Sequence, residues 1–152
     1  MAFTLVYTLS GGRPLVLDFT VKDTETFHDG DFLNLETGEV DLAVTTDAAL
    51  VGVLVSAKDP NSYVRTAGAT FGQITGVTAT TVVEAVANED AVYTDGVTGT
   101  ARAAGAALDI AGATGAQVLA AAAGNEFRCI KGVTSGENPL VIIYPGIHYL
   151  RA

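Results

Sequence analysis

Few side chains in this sequence could do chemistry, and only one cluster brings a histidine to carboxylates: His28-Asp29-Gly30-Asp31. A metal reading would use all three side chains, but a calcium loop needs more oxygens at regular spacing and zinc needs a further ligand. Asp-Gly is favoured where a tight turn asks for unusual φ, so the motif is expected to be a turn with His28 beside it. Ser10, Ser56, Ser62 and Ser135 lack a Gly-x-Ser-x-Gly elbow, and His148 has no orienting acid nearby in sequence. Gly11-Gly12-Arg13-Pro14 lacks the Lys-Ser/Thr of a phosphate-binding loop, and Gly96-x-x-Gly99 is no dinucleotide fingerprint. The single Cys129 lies in the alternating Phe127-Arg128-Cys129-Ile130 and cannot form an internal bridge, so it is expected to be a buried small apolar residue. Carboxylate pairs are too common here to signal glycoside chemistry, and tryptophan, which often lines sugar clefts, is absent. The expectation is no catalytic residue, no metal site, no cofactor and no enzyme.

The elements that must carry these residues read as strands. The chain has 152 residues, enough for one domain with a substantial core. Its apolar set is rich in Val and Ala and accompanied by much Thr and 17 Gly, which suits pleated sheets better than helices. Phe3, Leu5 and Tyr7 alternate with Thr4, Val6 and Thr8, and Leu15, Leu17 and Phe19 with Val16, Asp18 and Thr20. Ser10-Gly11-Gly12 between them reads as a hairpin turn or as a hinge to an arm. Residues 1–20 are therefore expected to be an N-terminal arm or edge hairpin, and 21–152 a single β domain. Asp29-Gly30 and Thr37-Gly38 supply turns within an alternating unit that runs to Val44, and Asp59-Pro60-Asn61-Ser62 supplies a further one. Residues 50–55, apolar except for Gly52, look like a strand buried on both faces. Residues 64–86 have room for two or three strands, with a poor helical competitor at 81–88. The alanines of 115–124 leave space for one short helix. Gly30-x-x-Leu33-x-Leu35 before Thr37-Gly38 is echoed by Gly105-x-x-Leu108-x-Ile110 before Thr114-Gly115, which suggests a repeated hairpin.

With 49% hydrophobic and 16% charged residues, the composition excludes disorder. A net charge of −9 leaves few cations to neutralise phosphates, so no nucleic-acid partner is expected. The uncharged run 66–83 has six Thr, three Gly and one Gln, too polar to cross a membrane, and no membrane partner is expected. Met1 to Tyr7 lacks the basic start and long apolar stretch of a signal peptide. Residues 18–47 hold nine acids and one base, net −8, whereas 96–125 carry only Arg102 and Asp109. The contrast suggests an acidic face toward solvent and a neutral face toward other protein chains, since interface cores are poor in charge.

Residues 27–57 combine a Gly-Asp, a short alternating strand, a Thr-Gly-Glu-Val turn and the strand Ala49-Leu50-Val51-Gly52-Val53-Leu54-Val55. This stretch resembles the capsid decoration, or cement, proteins of tailed bacteriophages, and the Ala/Thr/Gly/Val-rich composition is similar as well. The full length resembles most those of thermophilic long-tailed phages, although the second half is longer and richer in Gly and Ala than in the short cement proteins.

The resemblance implies an all-β domain, a small barrel or sandwich of β-tulip type with extended terminal arms. It implies a homotrimeric structural virion protein on the outer surface of the expanded capsid, bound to the major capsid protein and stabilising the shell against internal pressure. Two other readings stand beside it: a β-sandwich module for carbohydrate or another ligand, and a tail or spike subunit. The uncharged 140–144 is expected to pair within the fold or with another subunit, and so apolar a terminal segment is expected to be tied down. The candidate subunit or capsid contacts are Phe3, Leu5 and Tyr7 near one end, with Ile142, Tyr144, Ile147, His148, Tyr149 and Leu150 near the other.

Overall fold

The computed structural model describes residues 3–22, 25–58, 72–78, 80–97, 100–121, 125–134 and 137–151. Among these residues, thirteen strands and one 3-10 turn, Pro145–Ile147, make up the regular structure. The fold is all-β, as composition and alternation predict. A six-stranded antiparallel sheet runs β1(Thr4–Thr8), β9(Ala91–Thr94), β13(Val141–Ile143), β12(Phe127–Cys129), β10(Ala107–Ala111), β11(Val118–Ala121). A five-stranded sheet runs β2(Val16–Thr20), β8(Val82–Val86), β6(Leu50–Ala57), β4(Phe32–Glu36), β5(Glu39–Leu42), and β3(Phe27–His28) pairs with β7(Gln73–Ile74) as a ribbon. The five-stranded sheet curls until Val21, just past β2, bridges to Val40 of β5. It does not close into a barrel, and the architecture is a sandwich.

Two cores share one wall. Between the large sheets lie Phe3, Phe32, Tyr93 and Phe127, with ring centroids 4.9 to 6.0 Å apart, together with Leu50, Val53 and Ile143. On the other face of the five-stranded sheet, Leu33, Val51 and Leu54 meet Val83 and Ala85, and Phe27 and Ile74 of the ribbon cover them. A side chain on a strand points alternately to either face, so β4 and β6 must be apolar at consecutive positions to serve both cores. That is why the run 50–55 reads as doubly buried; Leu50 to Leu54 are buried, whereas Val55, expected with them, is exposed. A bulge at Val51 between the register pairs Leu33↔Gly52 and Asn34↔Leu50 shifts the alternation, so Leu50 and Val53 face one core and Val51 and Leu54 the other.

The sequence echo is a structural repeat. β5-β4-β6 and β11-β10-β12 have the same order: a hairpin whose first strand takes a third strand on its other side. Asn34 Oδ1 accepts the Ala49 N–H at 3.2 Å just before β6, and Asp109 Oδ1 accepts the Glu126 N–H at 3.2 Å just before β12, so equivalent side chains fasten equivalent loops. In the first unit the two-residue loop Thr37-Gly38 has both φ positive, 53° and 85°, the geometry that matches strand twist in a tight hairpin.

Two expectations are corrected, and others hold. β1 and β2 do not pair with each other; Gly11-Gly12 passes the chain from the edge of one sheet to the edge of the other. No helix occupies the described part of 115–124: Val118–Ala121 is β11, because Leu119 is needed in the core opposite Ile110 and this outweighs the helix preference of isolated alanines. The helical competitor at 81–88 is β8. Of the strands expected over 64–86, β7 and β8 form; 64–71, and the turn at 59–62, lie outside the described residues. Segment 140–144 pairs within the fold, as β13 between β12 and β9.

Gly52 sits where β6 crosses β8. A side-chain carbon there would overlap the Val86 carbonyl and stand 2.7 Å from the Tyr93 hydroxyl. Gly52→Ala is therefore expected to destabilise the fold by about 2 kcal/mol, read as a lowered urea midpoint at unchanged slope. An unchanged midpoint would show that the β6–β8 crossing is not close-packed.

Candidate functional site

The residues with chemical potential fasten the fold. Asp31 is fully buried, and its Oδ2 accepts the His28 N–H at 2.8 Å and the Thr114 hydroxyl at 2.5 Å, while Oδ1 accepts the Gly115 N–H at 2.7 Å. The His28 ring lies against Gly72 and Gly115, where an added side-chain carbon would come within 3.2 and 3.3 Å of it. His28-Asp29-Gly30-Asp31 is thus a turn, as its sequence suggests, and also a junction to the second hairpin unit, which sequence alone does not reveal. Among the described residues no group of three or more His, Cys, Asp or Glu is arranged to hold a metal ion. Ser10 Oγ accepts from Gly12 N–H and Ser56 Oγ donates to Glu84, so neither is engaged with a histidine; Ser62 and Ser135 lie outside the described residues. Cys129 is buried with its thiol on the Lys131 carbonyl at 3.0 Å. No helix among the described residues is long and apolar enough to cross a membrane.

Two more buried polar side chains cross the same junction. Gln117 Oε1 accepts the Phe32 N–H at 2.6 Å, and its Nε2 donates to the Ala43 carbonyl at 2.8 Å. Glu126 accepts the Ile110 N–H at 2.7 Å and the Asp47 N–H at 3.1 Å, with Asp109 beside it. Burial pushes the Glu126 carboxyl up to about 7; the Ile110 bond opposes this and the Asp109 charge adds to it. Burial likewise pushes Asp41 up to about 6 and raises Asp31 and Asp47. The acidic run 18–47 is therefore not one solvated face: Asp31 is buried and Asp41 and Asp47 are half-buried, Asp31 and Asp47 accepting hydrogen bonds from loops and Asp41 one from Asn34 on the neighbouring strand. The composition of 18–47 could not separate those roles.

The nine candidate contact residues divide by burial. Phe3 lies in the aromatic core, and Leu5 packs half-buried against it. Tyr7 is 44% exposed on β1. Ile142 and Ile147 are half-buried, and Tyr144 is exposed beneath the Arg128 guanidinium, 4.2 Å from the ring centroid. His148 is buried, bridging to Leu50 of the opposite sheet; Tyr149 donates its N–H to the Leu50 carbonyl and sets its ring edge-on to Phe19 at 5.8 Å. Leu150 is 59% exposed, next to an Arg151–Glu89 ion pair of 2.5 Å. The structure brings β1 and β13 together on either side of β9, so the exposed Tyr7 and Tyr144 belong to one sheet, while Phe3 and His148 are held inside the chain.

A feature that sequence reading missed lies between the two sheet edges. Thr4 and Leu5 of β1, Pro14 and Val16 at β2, and Val53 and Val55 of β6 line an apolar groove of about 350 Å³. Leu9, Leu15 and Leu17 are exposed on the same two segments. Alternation predicts which residues share a face, but which edges lie open follows only from the pairing. No protein-family model matches this sequence, and no curated protein matches it.

An acid whose pKa is higher in the folded chain stabilises the fold when protonated. The Glu126 contribution is full below its ordinary value of 4.5 and is lost as pH rises through about 7. Buried His148, whose pKa burial lowers, acts the opposite way and loses its contribution as pH falls below 6.5. Comparison with Glu126→Gln isolates the acid: the thermal midpoint of the variant is expected to gain on the unaltered chain as pH goes from about 5 to about 8. A difference between the two chains that does not vary with pH would refute the assignment.

Proposed function

We propose that this chain is a structural protein of the virion, a homotrimeric decoration subunit that binds the major capsid protein on the outside of the expanded head. What carries the reading is the combination of an all-β body with exposed apolar side chains on its edge strands and tips. Tyr7, Leu9, Leu15, Tyr144 and Leu150 are all more than 40% exposed, an arrangement suited to protein partners. The buried Asp31 and Glu126 hold loops to strands, and the His28 and His148 rings bond to backbone within two residues of themselves, so these side chains are engaged in structure. The likeness of residues 27–57 to cement proteins supports the same reading: its Gly-Asp leads into β4, its turn joins β4 to β5, and its doubly buried strand is β6, which with β4 forms the wall between the cores.

Light scattering is expected to give about three times the 15.5 kDa chain mass, and a stable monomer would count against the trimer. Incubation with undecorated capsids is expected to show binding to the expanded form and not to the unexpanded one. Leu150→Ser is expected to weaken that binding severalfold while leaving the unfolding midpoint unchanged. Binding to neither capsid form would overturn the proposal, and glycan binding in its place would make the chain a ligand-binding module.

A further inference from the structure

Among the described residues the two large sheets have four edges, and three are blunted. β1 carries a bulge at Val6, between the register pairs Leu5↔Tyr93 and Tyr7↔Val92. β5 presents Glu39 and Asp41. On β11 the Leu119 N–H donates to Asp95 Oδ2 at 2.9 Å, and the Leu119 carbonyl accepts from Arg102 Nη2 at 3.4 Å, so two side chains take the place of a neighbouring strand. Bulges, charges and covering groups are the usual means of keeping a strand edge from pairing.

β2 is different. Ala87 N–H donates to the Leu15 carbonyl and Val21 N–H to the Thr81 carbonyl, which sets the alternation along the β2–β8 ladder. Leu17 and Phe19 therefore bond toward β8, while the N–H and C=O groups of Val16, Asp18 and Thr20 point away from it. The curl brings β2 to β5 only at its far end, where Lys22 N–H reaches the Val40 carbonyl. Among the described residues no strand pairs with the outer side of β2 at Val16 and Asp18, the Thr20 end being taken by the bridge to Val40, and the Val16 end opens onto the apolar groove.

We propose that the outer edge of β2 takes up an extended segment of a partner protein as a sixth strand, and that this segment carries a Lys or Arg flanked two residues away by apolar side chains. Asp18 stands directly opposite Glu84 in the β2–β8 register, two like charges served by the one amine of Lys58, 2.7 Å from Asp18 and 4.0 Å from Glu84. A strand added to β2 places a side chain beside Asp18 on the same face, where a cation balances the second acid. The residue two positions along lies beside Val16 and enters the groove, which takes an apolar side chain. A second copy of this chain is disfavoured as the occupant. Two β2 edges paired antiparallel about Asp18 would oppose acid to acid in a molecule already at net −9. Strand addition of this kind draws affinity from main-chain bonds and selectivity from alternate side chains. The inference stands independently of the capsid reading.

The test uses isotope-labelled full-length protein and two end-capped peptides, Thr-Val-Thr-Lys-Thr-Val-Thr and its counterpart with Glu in the centre. The lysine peptide is expected to shift the amide resonances of Val16 and Asp18 most, and to bind about fivefold more tightly than the glutamate peptide. Asp18→Lys is expected to reverse that preference, and the milder Asp18→Asn to reduce it. No shift at those two amides, equal binding of both peptides, or self-association of the chain through β2 would each overturn the proposal.

Discussion

Where two β units meet without sharing a strand, the buried backbone groups at the seam must find partners in side chains. An unsatisfied buried amide or carbonyl costs about 1–3 kcal/mol, a large share of a domain's net stability. In this chain the seam lies between the β4–β5–β6 and β10–β11–β12 units. Asp31 accepts from Thr114 and Gly115, Gln117 bonds the backbone of Phe32 and Ala43, and Glu126 joins Ile110 to Asp47. Each of these side chains is buried, and each spans from one unit to the other. Their satisfaction allows Phe32 and Phe127 to meet edge-on at 5.0 Å in the centre of the sandwich.

The seam also determines what is left outside. Because the polar residues of the second unit serve the junction, β10 and β11 retain small, mostly uncharged side chains, and the β11 edge is covered by Asp95 and Arg102. Because β4 and β6 are committed to two cores, the five-stranded sheet ends in strands that carry little of the burial, and β2 is the most exposed of them. A fold whose interior is so fully occupied leaves its outer strands and tips as the surfaces open to a partner, and the proposed assembly role rests on them.

Much of this was legible in the sequence. Alternation and turn residues marked β1, β2, β4 and β5, and the apolar run at 50–55, interrupted only by Gly52, marked the strand that is buried on both faces up to Leu54. The paired Gly-x-x-Leu-x-Leu/Ile patterns announced the repeat, since a hairpin recurring in one chain needs the same apolar spacing and the same turn chemistry each time. The acids were harder to read. Asp18, Asp31 and Asp41 look alike in a string of letters, yet one is half-exposed in an ion pair, one is buried as a hydrogen-bond acceptor, and one is half-buried with a raised pKa. The difference arises from which distant loop packs over each.

The sequence by itself determined that the chain is all-β, that residues 28–31 form a turn, and that the Gly30 and Gly105 segments are related, because period-2 burial and tight-turn geometry are local properties of the backbone. Only the tertiary structure decided that β1 and β2 lie on different sheets, that Phe3 and His148 are buried while Tyr7 and Leu150 are exposed, and that β2 keeps an open edge. Strand order depends on contacts between residues far apart in the chain, and no local spacing encodes which edge is left without a neighbour.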